Sequence, residues 1–284
     1  MSRKSVTFEE SMTRLDEIVK ALNNFDAGVV LLVLFMHDSP QSSGFPSINV
    51  IRDEPQEEVE ARGSVFKNQL LALRNPALWT LALASAFMYI DRYAVNSWGI
   101  FFLEQDKAYS TLEASGIIGV NAIAGIAGTI IAGMLSDRFF PRNRSVMAGF
   151  ISLLNTAGFA LMLWSPHNYY TDILAMIIFG ATIGALTCFL GGLIAVDISS
   201  RKAAGAALGT IGIASYAGAG LGEFLTGIII DKTSIIENGK TLYDFSTLSL
   251  FWVGTGLMSA LFCFTTAAIV ARRHAIERQT SFSS

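Results

Sequence analysis

The feature that most constrains the fold of this chain is a series of six apolar stretches, each near the length that crosses a membrane. Hydrophobic residues make up 52% of its 284 residues and charged residues only 15%, against about 25% charged in a soluble domain. Six such stretches in succession would be rare in a large soluble helical protein, so they predict an all-α membrane protein with six transmembrane helices. The stretches are Trp79–Leu103, Leu112–Met134, Ser145–Trp164, Tyr170–Val196, Ala204–Ile230 and Phe245–Val270.

Lysine and arginine residues are concentrated on alternate loops of this predicted bundle. They precede the first stretch and follow the second, fourth and sixth, whereas the other loops are acidic, mixed or nearly uncharged. Cytoplasmic loops carry the excess of basic residues, so we expect a multi-pass protein of the cell inner (plasma) membrane, surrounded by membrane lipid, with both termini cytoplasmic. The basic residues are Arg62, Lys67, Arg74, Arg138, Arg142, Arg144, Arg201, Lys202, Arg272, Arg273 and Arg278.

Pairs of glycines four residues apart predict close helix packing in the fourth and fifth stretches. Small residues at this spacing let helix backbones approach each other in a membrane. The pairs are Gly180/Gly184, Gly205/Gly209 and Gly218/Gly222.

The remaining composition gives no indication of a nucleic-acid partner, a metal or another cofactor. The net charge is -3, which does not favour binding to nucleic acid. Cys188 and Cys263 both lie inside predicted helices, and we interpret them as small apolar fillers and not as a disulfide or metal site.

The charged pair Asp91 and Arg92 lies near the middle of the first apolar stretch. An arginine at such depth costs about 2.5–3.5 kcal/mol on insertion scales and usually faces a cavity or a partner. One interpretation is anion binding, because a guanidinium presents a planar fork to two oxygens and keeps its charge in a low-dielectric site. The other is a structural ion pair, for which Asp91 is poorly placed because adjacent side chains on a helix point about 100° apart.

Three segments resemble a known family of transporters. Gly133-Met-Leu-Ser-Asp-Arg-Phe-Phe-Pro-Arg-Asn-Arg144 resembles the cytoplasmic loop signature of the major facilitator superfamily. Ala86–Gly99 resembles the seventh helix of its organophosphate:phosphate antiporters, and Asp197-Ile-Ser-Ser-Arg-Lys-Ala-Ala-Gly-Ala-Ala-Leu-Gly209 resembles the join between their tenth and eleventh helices. The resemblance implies that residues from about 74 to 273 form the C-terminal half of a major facilitator fold.

The resemblance also implies roles for particular residues. Arg92 would bind the substrate phosphate, while Tyr93 and Trp98 would line the cavity. In the loop, an aspartate at a helix end beside cations would lock two helices in one of the alternating-access states, although an ordinary positive-inside loop remains an alternative. The gating residues would be Gly133, Asp137, Arg138, Arg142 and Arg144.

Two acids depart from the family pattern. Asp91 stands where an apolar residue is expected, and Glu223, deep in the fifth stretch, matches no family motif. Either acid could neutralise Arg92, carry a proton or alter which substrate fits. For Glu223, a hydrogen bond to a neighbouring helix is an equally open interpretation.

The resemblance covers one half of a complete facilitator, in which the substrate site lies between two six-helix halves. It implies that the missing N-terminal six-helix half is a partner and carries the family's other phosphate-binding arginine. We interpret residues 28–76 as the end of a truncated helix plus a cytoplasmic linker, 77–272 as the six-helix transmembrane bundle and 273–284 as a cytoplasmic tail.

Residues 1–27 have a different pattern, which predicts an amphipathic helix. Its start resembles that of the exonuclease VII small subunit, which would make it a foreign fusion, although a generic amphipathic helix is the alternative. It holds no catalytic constellation, so we do not expect nuclease activity. The residues on its apolar face are Phe8, Met12, Leu15, Ile18, Val19 and Leu22.

These observations predict a transporter, in a partial chain, that exchanges sugar phosphates or other organophosphates for inorganic phosphate. Such transport makes and breaks no covalent bond, so we do not expect an enzyme. Two alternatives remain open: a membrane hexose-phosphate sensor, which would use the same binding residues, and a non-functional transporter fragment.

Overall fold

The computed structural model describes residues 69–70, 73–139, 144–199, 203–237 and 240–282, most of which are helical. Two π-helical segments, Ala94–Trp98 and Phe189–Leu193, each join two α-helical segments end to end. The helix predicted for residues 1–27 and the linker predicted before residue 69 lie outside the described residues. The helices are α1 (Pro76–Tyr93), α2 (Gly99–Gln105), α3 (Thr111–Phe139), α4 (Arg144–Trp164), α5 (Tyr169–Cys188), α6 (Ile194–Asp197), α7 (Ala204–Thr233) and α8 (Ser246–Phe282).

Each of the six predicted apolar stretches lies in a helix. Helix 76–105 runs through the first π-helical segment; it carries Asp91 and Arg92, which make it less apolar than the others. Its length is about 45 Å at 1.5 Å per residue, more than the hydrocarbon core requires. The prediction of an all-α membrane protein built on six helices is confirmed. Within the described residues, the five segments that are long and apolar enough to cross a membrane by themselves are Thr111–Met134, Arg144–Trp164, Tyr169–Asp197, Ala204–Thr233 and Ser246–Arg273.

The helices pack in a series that leaves α3 and α7 at its two ends. α3 packs on α5, α5 on α4, α4 on α8, α8 on α1, and α1 on α7. The first long helix contacts both ends of the series, because α1 lies against α7 while α2 lies against α3. The π-helical segment between α1 and α2 is therefore placed between the two terminal helices.

Glycine makes two of these helix pairs unusually close. A Cβ atom on Gly184 would lie 2.1 Å from the carbonyl oxygen of Gly125, and one on Gly180 would lie 2.3 Å from that of Asn121. On α7, a Cβ on Gly218 would lie 2.6 Å from the carbonyl oxygen of Ala86. Only glycine permits backbones to meet at these distances, so α3 with α5 and α1 with α7 form the tightest pairs.

The prediction of close packing at Gly205/Gly209 was wrong for the described residues. A Cβ on Gly205 or Gly209 would have no neighbouring atom within 4 Å. These glycines lie on a part of α7 that faces away from its neighbours, whereas Gly222 faces the side chain of Ile90. Glycine spacing alone does not say which side of a helix meets another.

A buried polar cluster joins the loop after α2 to the start of α5. The carboxylate of Asp172 accepts hydrogen bonds from Lys107 Nζ at 2.5 Å and from the Tyr109 hydroxyl at 2.7 Å. His167 stacks on Tyr109 and its Nδ1 lies 2.6 Å from the Lys107 carbonyl oxygen. Burial, followed by the hydrogen bond to Asp172, raises the pKa of the Tyr109 hydroxyl. The cluster satisfies its charges internally and ties two loops together at one end of the bundle.

At the same end, a short hairpin follows α7. Strands β1 (Ser234–Glu237) and β2 (Lys240–Tyr243) pair antiparallel, with Ile235 opposite Leu242. In the sequence they are separated by Asn-Gly, the dipeptide most typical of a two-residue hairpin turn. Tyr243 and Phe245 pack edge-on against Phe101, which attaches the hairpin to α2.

We expect Gly184→Ala to destabilise the bundle by about 1–3 kcal/mol, because the added methyl group overlaps the Gly125 backbone. Gly209→Ala is the matched control: its methyl group meets open space and removes a helix-interior glycine, so it should be neutral or stabilising by up to about 1 kcal/mol. Thermal unfolding in detergent micelles measures both. Equal effects of the two substitutions would contradict the α3–α5 contact.

Asp172→Asn should destabilise the protein by about 3–5 kcal/mol, because it leaves the buried Lys107 ammonium without a counter-charge. Adding Lys107→Met to that variant removes the stranded charge and should recover part of the loss. Unfolding midpoints of the single and double variants test this coupling, and a double variant less stable than Asp172→Asn would refute it.

Candidate functional site

Arg92 lies in the last turn of α1, with its side chain half-buried. Its Cζ atom is 5.4 Å from the centroid of the Tyr89 ring, which is the geometry of a cation–π contact. Within the described residues, the guanidinium makes neither an ion pair nor a hydrogen bond. Its five N–H donors are therefore available to an anion.

The ring of Tyr89, which Arg92 contacts, is itself in contact with two further tyrosines. Tyr89 stacks on Tyr93 with ring centroids 6.2 Å apart, and meets Tyr216 of α7 edge-on at 5.5 Å. Tyr216 is 63% exposed, so this aromatic group is open to its surroundings. Arg92 thus lies on the accessible side of the α1–α7 pair, in an aromatic setting with hydroxyl donors on the same rings.

Trp98 is the last residue of the first π-helical segment. Its Nε1 donates a hydrogen bond to Oε2 of Glu223 on α7, at 2.8 Å. The other oxygen, Oε1, is buried and has no hydrogen-bond partner among the described residues. Glu223 lies seven residues after Tyr216, which places both on one face of α7 about 10 Å apart along the axis.

A pair of asparagines extends the polar surface to α3. Asn121 Nδ2 lies 3.5 Å from Oδ1 of Asn96, which belongs to the same π-helical segment as Trp98. Asn121 is only 8% exposed, whereas Asn96 is exposed. The polar groups of the site therefore lie along the π-helical segment Ala94–Trp98. This segment is placed between α3 and α7, the helices at the two ends of the packing series. Single-turn π-helical bulges occur frequently at functional sites.

Asp91 faces a different part of the bundle from Arg92. It is 1% exposed and its Oδ1 accepts a hydrogen bond from the Thr255 hydroxyl of α8 at 2.5 Å. Its other oxygen would lie 2.8 Å from a Cβ atom on Gly256. Asp91 therefore has its partner on α8, and within the described residues it forms no ion pair with the Arg92 guanidinium.

The predicted gating residues are only partly described. Gly133 is half-buried with open space at its Cβ position, and Arg138 is exposed near the end of α3. Arg144, at the start of α4, binds both carboxylate oxygens of Asp197 at 3.0 Å. This fork joins the start of α4 to the end of α6. The side chain of Asp137 and all of Arg142 lie outside the described residues.

The sequence analysis missed Tyr89, Tyr216, Asn96 and Asn121. A signal exists for Tyr89, which lies three residues before Arg92 and hence on the same helix face. For Asn121 and Tyr216, the approach to α1 depends on how whole helices are rotated, which no local pattern indicates.

The site is suited to binding an anion. Its described groups supply one unpaired cation, hydroxyl and amide donors, and one unpartnered carboxylate oxygen. Groups of three or more His, Cys, Asp or Glu side chains that could hold a metal ion are not found among the residues described. A half-buried cation within a multi-pass bundle is typical of a membrane transporter.

Comparison with known sequences places the chain in a family. The Major Facilitator Superfamily pattern matches residues 25–223, and the chain belongs to this superfamily of transporters. The predicted resemblance to its organophosphate:phosphate antiporter branch is also confirmed by the relatives below. Residues 1–24 lie outside that match, so the resemblance of the N-terminal segment to exonuclease VII stays a prediction.

Three relatives come from different bacteria. The chain is 31% identical to the glycerol-3-phosphate transporter of Bacillus subtilis, over 71% of this chain and 47% of the relative. It is 33% identical to a probable hexose phosphate transport protein of Chlamydia trachomatis, over 69% and 46%. It is 27% identical to the membrane sensor protein UhpC of Escherichia coli, over 71% and 47%. The chain spans about half the length of the relatives it matches.

Proposed function

We propose that this chain is one half of a transporter that exchanges sugar phosphates or other organophosphates for inorganic phosphate. The observation that carries the proposal is the unpaired Arg92 guanidinium, which lies over the Tyr89 ring. It is on the side of the bundle between α3 and α7, the two helices at the ends of the packing series. Relatives named as glycerol-3-phosphate and hexose phosphate transporters support phosphate esters as the ligand class.

The physical argument for phosphate rests on the guanidinium. Its planar fork donates two parallel hydrogen bonds to a phosphoryl group, and it loses less hydration energy than an ammonium does. The face of the Tyr89 ring attracts the guanidinium electrostatically, and Tyr93 and Tyr216, which contact Tyr89, carry hydroxyl groups that can act as neutral donors. In this proposal Tyr93 and Trp98 line the cavity.

Transport in this fold is a rocking of two six-helix halves about a central site, so we infer that a second half completes the site. The charge pattern of the loops supports an orientation with both ends of the bundle in the cytoplasm, in the plasma membrane. The Arg144–Asp197 fork lies in the region proposed to act as the gate, together with Gly133, Asp137, Arg138 and Arg142.

A membrane sensor is the second candidate, because one relative is named as such. The same binding residues serve a carrier and a sensor, so the distinction lies in whether bound ligand crosses the membrane. Counterflow of labelled phosphate in liposomes that contain both halves supports the carrier. Phosphate binding without counterflow supports the sensor.

Arg92→Lys should weaken the binding of inorganic phosphate by about tenfold or more, because the charge is kept while the bidentate fork is lost. Scintillation proximity with labelled phosphate, on the purified chain in lipid nanodiscs, measures the affinity. Arg272→Lys is the matched control, since Arg272 is exposed near the end of the last predicted span and should not affect binding. Unchanged affinity in Arg92→Lys would favour a structural role for Arg92.

Exchange of phosphate should require a second six-helix half, since rocking needs two bodies. Liposomes containing the chain alone should therefore show no counterflow, and addition of an N-terminal half from a relative should restore it. Exchange by a chain that cross-linking proves to be monomeric would contradict this.

A further inference from the structure

One carboxylate oxygen of Glu223 lacks a hydrogen-bond partner within the described residues, and phosphate binding by Arg92 does not explain why. Oε1 is buried without a hydrogen-bond partner, and no other described side-chain atom is in this situation. Its sister oxygen accepts the Trp98 indole hydrogen at 2.8 Å, which fixes the orientation of the carboxylate. Buried acceptors in native proteins nearly always have a partner, so an isolated one in a binding region suggests a donor that arrives with a ligand.

The surrounding side chains do not supply this donor. Glu223 forms no ion pair with a described residue, and its only side-chain hydrogen bond among them is with Trp98. Asn121 Nδ2 donates to Oδ1 of Asn96 at 3.5 Å, and neither amide forms a hydrogen bond with Glu223. The donor that fits is therefore an O–H group of the molecule whose phosphate binds to Arg92.

Arg92 and Glu223 lie at similar heights in the bundle, which suits the binding of one molecule to both. Gly218 meets Ala86 and Gly222 meets Ile90, so α1 and α7 run in the same direction and Glu223 is nearly level with Arg92 along their axes. The two side chains form no ion pair with each other within the described residues. A phosphorylated sugar or polyol that binds the guanidinium through its phosphate can therefore present a hydroxyl group to the carboxylate.

Access to Oε1 requires a local rearrangement, because this atom is shielded from solvent in the present conformation. The segment that carries Trp98 is π-helical, with a wider turn than the helices on either side. Such a turn is a place where a helix can change its register locally. In this inference, a displacement of the Trp98 ring admits the hydroxyl group.

We propose that Glu223 Oε1 accepts a hydrogen bond from a hydroxyl group of the organophosphate, so that the site selects phosphorylated polyols over alkyl phosphates. This inference rests on the proposed function, because Arg92 supplies the anchor for the phosphate. Trp98 acts as a positioning residue that holds the carboxylate by its other oxygen.

The test compares two ligands that differ only in their hydroxyl groups, glycerol 3-phosphate and n-propyl phosphate. Both carry the same phosphate charge, so the ratio of their affinities cancels any change in electrostatic repulsion from Glu223. Binding is measured by calorimetry on the purified full chain in lipid nanodiscs. The wild-type chain should prefer glycerol 3-phosphate by about tenfold, the value of one hydrogen bond to a charged group.

Glu223→Met keeps the length of the side chain but has no strong acceptor, so the preference should fall to about one while n-propyl phosphate still binds. Glu223→Gln preserves the shape and an oxygen for Trp98; it should reduce the preference to below about threefold. Glu104→Met, at the outer end of α2, is the matched control and should retain the wild-type preference.

The possible outcomes separate the two ideas. A preference that persists in both Glu223 variants overturns the inference and leaves the phosphate site intact. A preference that is absent in the wild-type chain, with both ligands bound, also overturns it. Failure of the wild-type chain to bind either ligand, both alone and together with an N-terminal half from a relative, overturns the proposed function and the inference together.

Discussion

The bilayer offers no water to polar groups, and this constraint shapes the interior of the bundle. Most buried polar side chains therefore form a hydrogen bond with a group on another helix. Ser85 of α1 meets Ser215 of α7 at 2.7 Å, and Asp91 accepts from Thr255 of α8. Within the described residues, Oε1 of Glu223 is the one buried side-chain atom without a hydrogen-bond partner, and the half-buried Arg92 makes neither an ion pair nor a hydrogen bond. A polar group left without a partner in such surroundings indicates where a ligand belongs.

Close backbone contact explains why these groups have fixed positions. Gly180 and Gly184 bring α5 against the backbone of α3, and Gly218 brings α7 against that of α1. Dispersion between backbones replaces the hydrophobic effect as the force that joins helices in lipid. Tyr216 and the Glu223 carboxylate, which α7 contributes, are thereby held at a constant distance from Arg92.

Long-range sequence patterns predicted the architecture, whereas the site required knowledge of helix rotation. The apolar stretches gave all six helices because a span needs only length and apolar character. The depth of Arg92 indicated a site because an isolated charge in lipid is costly. The partner of Asp91 and the contact between Tyr89 and Tyr216 followed from neither signal, since both depend on which face of α8 or α7 turns inward. For the same reason, Gly205 and Gly209 were wrongly expected to pack.

The glycine contact between α1 and α7 has a consequence for how a rocking protein handles its cargo. Because Gly218 and Ala86 meet backbone to backbone, the two helices that carry Arg92 and Glu223 cannot slide past each other without losing that seam. In the proposed transport cycle they would travel as one body when the cavity changes the side to which it opens. The groups that recognise the substrate would then be the same for entry and for exit, so the proposed cycle would discriminate between substrates equally in both directions even where the rates differ.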